Sequence, residues 1–325
     1  MHENELLRVE DLEIKFFMRH SVVEAVNGVS FTIDKGERVG LVGETGAGKT
    51  TTALSILKLV PNPPGKVTGG SIHLNGESIM EKTDAEMQLI RGNDVSMIFQ
   101  DPMTSLNPVM TVGEQILEVI QLHNDIPKSE ALDRAKAMLE LVGIPKDRFN
   151  EFPHQFSGGM KQRVLIAISL ACNPKLLIAD EPTSALDVTI QAQVLELINN
   201  LREEFGMALL LITHDLGVVA ETCDRVMIMY AGRIVEAGSV KKVYKNILHP
   251  YTQGLFDSLP RLDVEADRLK PINGMMPDPS DLPQGCVFAD RCQFATEECR
   301  KKLPEMVEYE EGHFVACHHA GMKEG

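Results

Sequence analysis

The sequence predicts an α/β fold built on a largely parallel, doubly wound sheet, and three observations predict it. Gly43-Glu44-Thr45-Gly46-Ala47-Gly48-Lys49-Thr50 fits the pattern G-x-x-x-x-G-K-[ST] and follows the short apolar run 39–42, the order strand, phosphate-gripping loop, helix. Residues 176–179 and 209–212 are continuous apolar runs, which suit strands buried on both faces of a parallel sheet. Between them Ile190, Val194, Leu197, Ile198 and Leu201 recur at helical spacing. Strand–helix–strand order implies right-handed crossovers and helices on both faces of the sheet.

The remaining elements follow in order. Residues 6–42 alternate apolar and polar, as in Leu12, Ile14, Phe16 and then Val29, Phe31, Ile33, the pattern of antiparallel strands with one buried face. Residues 50–59 read as the helix after the loop, broken by Pro61, Pro63, Pro64 and Gly65. Residues 95–99 read as a further strand. Leu132, Ala135, Met138, Leu139 and Val142 place a helical insertion over 101–172. The core is expected to span 1–238. An extension over 239–325 begins with an irregular stretch marked by Pro260, Pro271, Pro277, Pro279 and Pro283 and ends in a small cysteine-rich tail.

Composition narrows the function classes. At 325 residues the chain is long enough for one full α/β domain and an appendage. Its net charge of −15 argues against a nucleic-acid partner, whose binding face is normally basic. No run approaches the roughly 20 apolar residues that cross a bilayer, and the first residues lack a secretory pattern. The expectation is a soluble, cytosolic chain that meets a membrane only through partners.

The chemistry of a nucleotide site is written in two strings. In the loop 43–50, glycines let backbone N–H groups approach phosphate, and the helix that starts near Lys49 adds the positive end of its dipole. Lys49 is expected to reach the β- and γ-phosphates, Thr50 to ligate Mg²⁺ and Thr51 to donate to the α-phosphate. The apolar strand 176–179 ends in Asp180-Glu181, the form of a second phosphate-site motif in which Asp180 holds Mg²⁺. A carboxylate beside it, Glu181, can polarise an attacking water.

With Ser157-Gly158-Gly159-Met160-Lys161-Gln162 the chain resembles the ATP-binding-cassette (ABC) family. The string Pro182-Thr183-Ser184-Ala185-Leu186-Asp187 fits the same family. The resemblance implies that Glu181 is the general base or water-orienting residue. It implies that Gln100, after the strand 95–99, touches Mg²⁺ or the water, and that His214, in Thr213-His214-Asp215, contacts the γ-phosphate. It implies that Phe16, with Phe17 in reserve, stacks on adenine. It further implies that Ser157, Gly158, Gly159, Gln162 and Asp187 serve the ATP of an opposing subunit, so that ATP closes a dimer and hydrolysis reopens it. All of these residues precede Gly238, so hydrolysis is expected not to depend on the extension.

The extension is more specific. His249-Pro250-Tyr251-Thr252-Gln253-Gly254-Leu255, Asp281-Leu282-Pro283-Gln284-Gly285-Cys286-Val287-Phe288 and Arg291-Cys292 are similar to the C-terminal extension of dipeptide and oligopeptide importer ATPases. Gln100-Asp101-Pro102-Met103-Thr104-Ser105-Leu106-Asn107-Pro108 fits the same subfamily. The implied role is the ATPase of a peptide importer, peripheral on the cytoplasmic face of the membrane. Its implied partners are a second ATPase, identical or paralogous, two integral permease subunits and, indirectly, an extracellular peptide-binding protein. A nickel importer shares these features, and a soluble ATPase in iron–sulfur handling is a second alternative. Cys172 and Cys223 read as small core residues. Cys286, Cys292, Cys299 and Cys317 crowd into the tail without a C-x-x-C knuckle. Four thiolates can hold a zinc ion, where His313, His318 or His319 can substitute, or an iron–sulfur cluster. The resemblance favours a [4Fe–4S] cluster.

Overall fold

The computed structural model describes residues 4–101, 105–184, 186–258 and 272–322. Pro260, Pro271, residues 102–104 of the Gln100 string and Ala185 lie outside them. In chain order the strands are β1 (Glu5–Phe17), β2 (Val22–Asp34), β3 (Arg38–Val42), β4 (Gly65–Leu74), β5 (Glu77–Ser78), β6 (Val95–Ile98), β7 (Leu176–Asp180), β8 (Ala208–Thr213), β9 (Arg225–Tyr230), β10 (Arg233–Ser239), β11 (Val307–Glu310) and β12 (His313–Val315). The α-helices are α1 (Lys49–Ile56), α2 (Asp84–Ile90), α3 (Val112–His123), α4 (Lys128–Leu141), α5 (Gly158–Leu170), α6 (Val188–Phe205), α7 (Leu216–Thr222), α8 (Val240–Lys245), α9 (Pro250–Asp257) and α10 (Glu297–Lys301). They form two compact units.

One unit is built around Leu74–Ile212. Its strands β6, β7 and β8 are parallel, with Val95 opposite Leu176 and Leu176 opposite Ala208. Every residue of β7 and β8 is buried, as continuous apolar runs require. The α-helices α3, α4 and α5 lie between β6 and β7. A reciprocal cap opens α3: Thr111 Oγ1 accepts from the Glu114 N–H, and the Glu114 carboxylate accepts from the Thr111 N–H at 3.0 Å. Helices α3 and α4 pack on each other and on α5. Ala131, Ala135, Met138 and Leu139 form the buried stripe of α4. Asp187 caps α6, which buries Val194, Ile198 and Leu201 and ends at Gly206 in the left-handed conformation.

The other unit comprises Arg8–Thr32, Val39–His73 and the chain from Thr213 onward. Here β1 lies between β2 and β4, and the Met18 N–H donates to the Ser21 carbonyl across the turn joining β1 and β2. Strand β3 runs parallel to β9, and β10 pairs with β9 antiparallel across a bulge between Ile234 and Glu236. The extension adds to this sheet. Strand β12 pairs antiparallel with β10, with Glu236 opposite Val315 and Gly238 opposite His313, and β11 pairs with β12. The expected irregular tail therefore carries two strands that cover what would be an open edge at β10.

Candidate nucleotide-binding and hydrolysis site

The loop 43–50 leaves β3 and enters α1. Its shape depends on glycine at two places. A Cβ on Gly43 would stand 2.2 Å from the Met229 carbonyl oxygen. Gly48, the N-cap of α1, has φ +103, and a Cβ there would stand 2.4 Å from the Ala25 oxygen. Lys49 is nearly buried, and its ammonium donates to the carbonyls of Gly43 at 2.7 Å and Glu44 at 3.0 Å, curling back over the loop. Thr45, Gly46 and Thr50 are exposed, Thr51 is half-buried and Ala47 is buried. An exposed helix start with a cation folded over it is a receptor for an anion.

The loop is also held from the extension. The Glu44 N–H donates to the Tyr251 hydroxyl oxygen at 3.0 Å. The Arg291 guanidinium donates to both Glu44 carboxylate oxygens at 3.0 Å. Tyr251 and Arg291 lie inside the strings that mark the extension, yet nothing in their spacing assigns them to the loop. The other unforeseen cluster is Glu236, fully buried, which accepts from the N–H groups of Leu248 at 2.9 Å and His249 at 3.0 Å and bonds the His313 Nε2 at 2.9 Å. Burial by itself lowers the His313 pKa, but its bonds to Glu236 and Glu310 outweigh this and raise it. Burial pushes His249 down to about 4, so the ring is neutral and its Nδ1 accepts from the Tyr251 N–H at 3.0 Å.

In the first unit, β7 ends in buried Asp180 and half-buried Glu181. Glu181 has φ +46, a left-handed conformation that costs an L-residue about 1–2 kcal/mol. Its N–H is fixed by the Ile212 carbonyl at 2.8 Å. The turn aims the carboxylate at Gln100, whose Nε2 donates to Oε2 at 3.1 Å. Two residues expected to act together, 81 positions apart in sequence, thus meet directly.

The same unit gathers Ser157, Gly158, Gly159 and Asp187 around one open pocket, with Met160, Arg163 and Ile190. Ser157 caps α5, its Oγ accepting from the Met160 N–H at 3.4 Å. The helix begins at Gly158, directly after its cap. Gln162 is not brought to this surface: it faces inward from α5 and is 1% exposed. In the second unit His214 is exposed between β8 and Asp215, which caps α7 through the N–H groups of Gly217 and Val218. Phe16 is half-buried with its ring against Gly65, where a Cβ would stand 2.8 Å away, and Phe17 is the more open of the two.

In the tail, Cys286, Cys292, Cys299 and Cys317 all line one small cavity, with His249, Phe288 and Phe294 among its walls. All four are free thiols. Burial raises the pKa of Cys286 and Cys292 and pushes Cys317 up to about 11. Among the described residues no group of three His, Cys, Asp or Glu side chains is arranged to hold a metal ion. Nor is any helix among them long and apolar enough to cross a membrane.

Comparison with known proteins agrees with this geometry. A family model described as ABC transporter matches residues 26–184, and one described as oligopeptide/dipeptide transporter, C-terminal region, matches residues 235–299. The chain is 51% identical to a probable peptide ABC transporter ATP-binding protein of Sinorhizobium fredii, over 96% of this chain and 94% of that protein. It is 52% identical to the oligopeptide transport ATP-binding protein AppD of Bacillus subtilis, over 96% of each. Among solved structures, a dimeric ATP-binding cassette in a post-hydrolysis state with ADP and phosphate is similar at TM-score 0.65 and 27% identity, over 72% of this chain and 99% of that one.

Proposed function

The chain belongs to the ATP-binding proteins of oligopeptide and dipeptide ABC transporters, whose work is to hydrolyse ATP to power peptide import, and we propose how its residues divide that work. Lys49 and the backbone N–H groups of 45–50 hold the triphosphate. Thr50 and Asp180 hold Mg²⁺, with Gln100 within reach of it, and Thr51 meets the α-phosphate. Glu181 takes a proton from, or orients, the attacking water, and Gln100 positions Glu181. His214 donates to the γ-phosphate. Phe16 offers a face to adenine. Ser157, Gly158, Gly159 and Asp187 meet the ATP of a second cassette, which is either a second copy or a paralogue. The observation that carries this reading is the Gln100–Glu181 hydrogen bond beside the buried Asp180. A carboxylate fixed next to a metal ligand at a strained turn is equipment for hydrolysis rather than for binding alone.

In this reading the chain sits on the cytoplasmic face of the membrane against two permease subunits, and a substrate-binding protein delivers the peptide from outside. The deciding experiment measures peptide uptake, ATP hydrolysis and co-purifying membrane proteins for wild type and Lys49→Ala. Loss of both activities in the variant, with permease subunits recovered alongside the chain, is expected. Nickel uptake in place of peptide uptake would change the cargo, and a chain that hydrolyses ATP with no membrane partner would overturn the transport role.

We also propose that the tail cysteines hold a [4Fe–4S] cluster rather than a zinc ion. All four thiols line one small cavity, and a single zinc would need every ligand about 2.3 Å from one centre. A four-iron cluster takes one thiolate per iron and so accepts a wider ring of donors. Cys286, Cys292, Cys299 and Cys317 would hold it, and it would tie together a segment with few apolar residues of its own. Protein prepared without oxygen is expected to carry about four iron atoms per chain, and one zinc without iron would replace the cluster reading.

A further inference from the structure

The position after Gly43 is an odd place for a carboxylate. The loop must receive a triphosphate, and an uncompensated Glu44 would repel it. The structure disposes of that charge in a specific way. Arg291, whose side chain is only 6% exposed, places one guanidinium nitrogen 3.0 Å from each Glu44 oxygen and 3.3 Å from the Tyr230 hydroxyl. Its other nitrogens donate to the carbonyls of Asn273 at 3.0 Å and Ile272 at 3.3 Å. The guanidinium lies near the rings of Tyr230 and Phe288, with centroid distances of 5.7 and 5.9 Å. All three guanidinium nitrogens have fixed acceptors, which leaves the fork no other orientation. The same segment of the extension touches the loop again at Gly46, where a Cβ would stand 3.1 Å from the Met276 methyl. Tyr251 holds the Glu44 N–H from the other side.

We propose that Arg291 is a positioning residue for nucleotide binding: it neutralises Glu44 and fixes that carboxylate away from the phosphates, so that the C-terminal extension sets the affinity of the phosphate loop for ATP. The inference rests on reading residues 43–50 as the ATP-binding loop. It also revises the expectation that the ATP site is independent of the extension. Arg291 directly precedes Cys292, so anything that reshapes the cysteine tail moves the guanidinium that faces the loop.

The test is equilibrium binding of ATP to the full chain, paired with steady-state hydrolysis. Arg291→Ala is expected to weaken ATP binding about tenfold, the scale of one uncompensated like charge near the phosphates at an effective dielectric of about 20. KM rises correspondingly and kcat stays within about threefold. Removing the carboxylate as well, in Arg291→Ala/Glu44→Ala, restores affinity to within about threefold of wild type. A merely structural role for Arg291 does not predict that rescue. Unchanged binding in Arg291→Ala, or a double variant as weak as the single, overturns the proposal. If Arg291→Ala does not fold, Glu44→Ala alone decides. It is expected to bind ATP at least as tightly as wild type, and a loss of more than about threefold overturns the idea. Lys49→Ala serves as the separate control, because ATP binding that survives it would refute the loop assignment itself.

Discussion

The contact between Gln100 and Glu181 separates two jobs that the pair is expected to perform. Glu181→Gln changes one carboxylate oxygen to an amide and keeps the shape, so the φ +46 turn and its bond to the Ile212 carbonyl remain. Only the charge and basicity go. Loss of a general base or water-orienting group costs about 10²–10⁴-fold in rate, or about 3–5 kcal/mol at 1.36 kcal/mol per decade. Gln100→Ala removes the 3.1 Å hydrogen bond to Glu181. A bond to a charged acceptor contributes about 1.5–3 kcal/mol when sheltered. Gln100 is exposed and Glu181 half-buried, so about 1.4 kcal/mol, or tenfold, is the expected loss. If Gln100 acts through Glu181, the double variant is no slower than Glu181→Gln, because the bond it removes no longer orients a base. The assay is phosphate release at saturating ATP and Mg²⁺ for the four proteins of the cycle. Full additivity, with the double variant another tenfold slower, would show that Gln100 works on the metal or the water independently. Wild-type turnover in Glu181→Gln would remove Glu181 from the chemistry altogether.

Further expectations follow from the same structure. Ser157→Arg fills the open pocket shared with Asp187 and is expected to abolish ATP-driven dimerisation, measured by size, while ATP binding to the single chain changes by less than about threefold. Gly159→Ala is expected to lower stability to urea by about 1–3 kcal/mol, because its Cβ would stand 2.7 Å from Ile190. Gly158→Ala, with 3.8 Å to Leu186, is expected to fold like wild type. Glu236→Gln turns an amide donor toward buried N–H donors and is expected to cost about 2 kcal/mol, with faster amide exchange at Leu248 and His249. His313 has a raised pKa, so its protonation stabilises the fold most below about pH 6.5, and this contribution is lost as pH rises through the folded-state pKa. The stability gap between wild type and His313→Gln should therefore narrow from pH 6 to pH 9.

How much of this was legible in the sequence depended on the range of the interaction. The apolar runs of β7 and β8, the amphipathic α6 and the glycines of the loop are dictated by near neighbours in the chain, and all stand where their pattern placed them. Some residues that the motifs single out lie together in the structure. Ser157 and Asp187 share a pocket, and Gln100 meets Glu181. Gln162 was misplaced because a motif string records adjacency and not the direction of each side chain. It shares a helix face with Gly158 and Gly159, yet its side chain is buried. The extension was the least legible part. A strand of three residues such as β12 carries no periodicity, and its pairing with β10, joined by the bond between His313 and Glu236, spans 77 residues.

That long-range pairing bears on where the catalytic core ends. Sequence composition drew the boundary near Gly238, but the bonds of the extension run back across it. Ending the chain there would leave β10 without its β12 partner and would take from Glu236 the His313 ring and the two N–H groups that it bonds. Tyr230, fully buried against Tyr251 and Phe288 at centroid distances of 4.6 and 5.2 Å, would lose both rings. Each aromatic pair contributes about 0.5–1.5 kcal/mol beyond the area it buries, and each hydrogen bond to the Glu236 carboxylate contributes about 1.5–3 kcal/mol. These losses sum to a large share of the stability of a domain, about 5–15 kcal/mol. Residues 1–238 alone are therefore expected to be insoluble or only partly folded rather than a working ATPase. A soluble 1–238 fragment that binds ATP as tightly as the full chain would show that neither the strand pairing nor the Arg291–Glu44 contact matters to the loop.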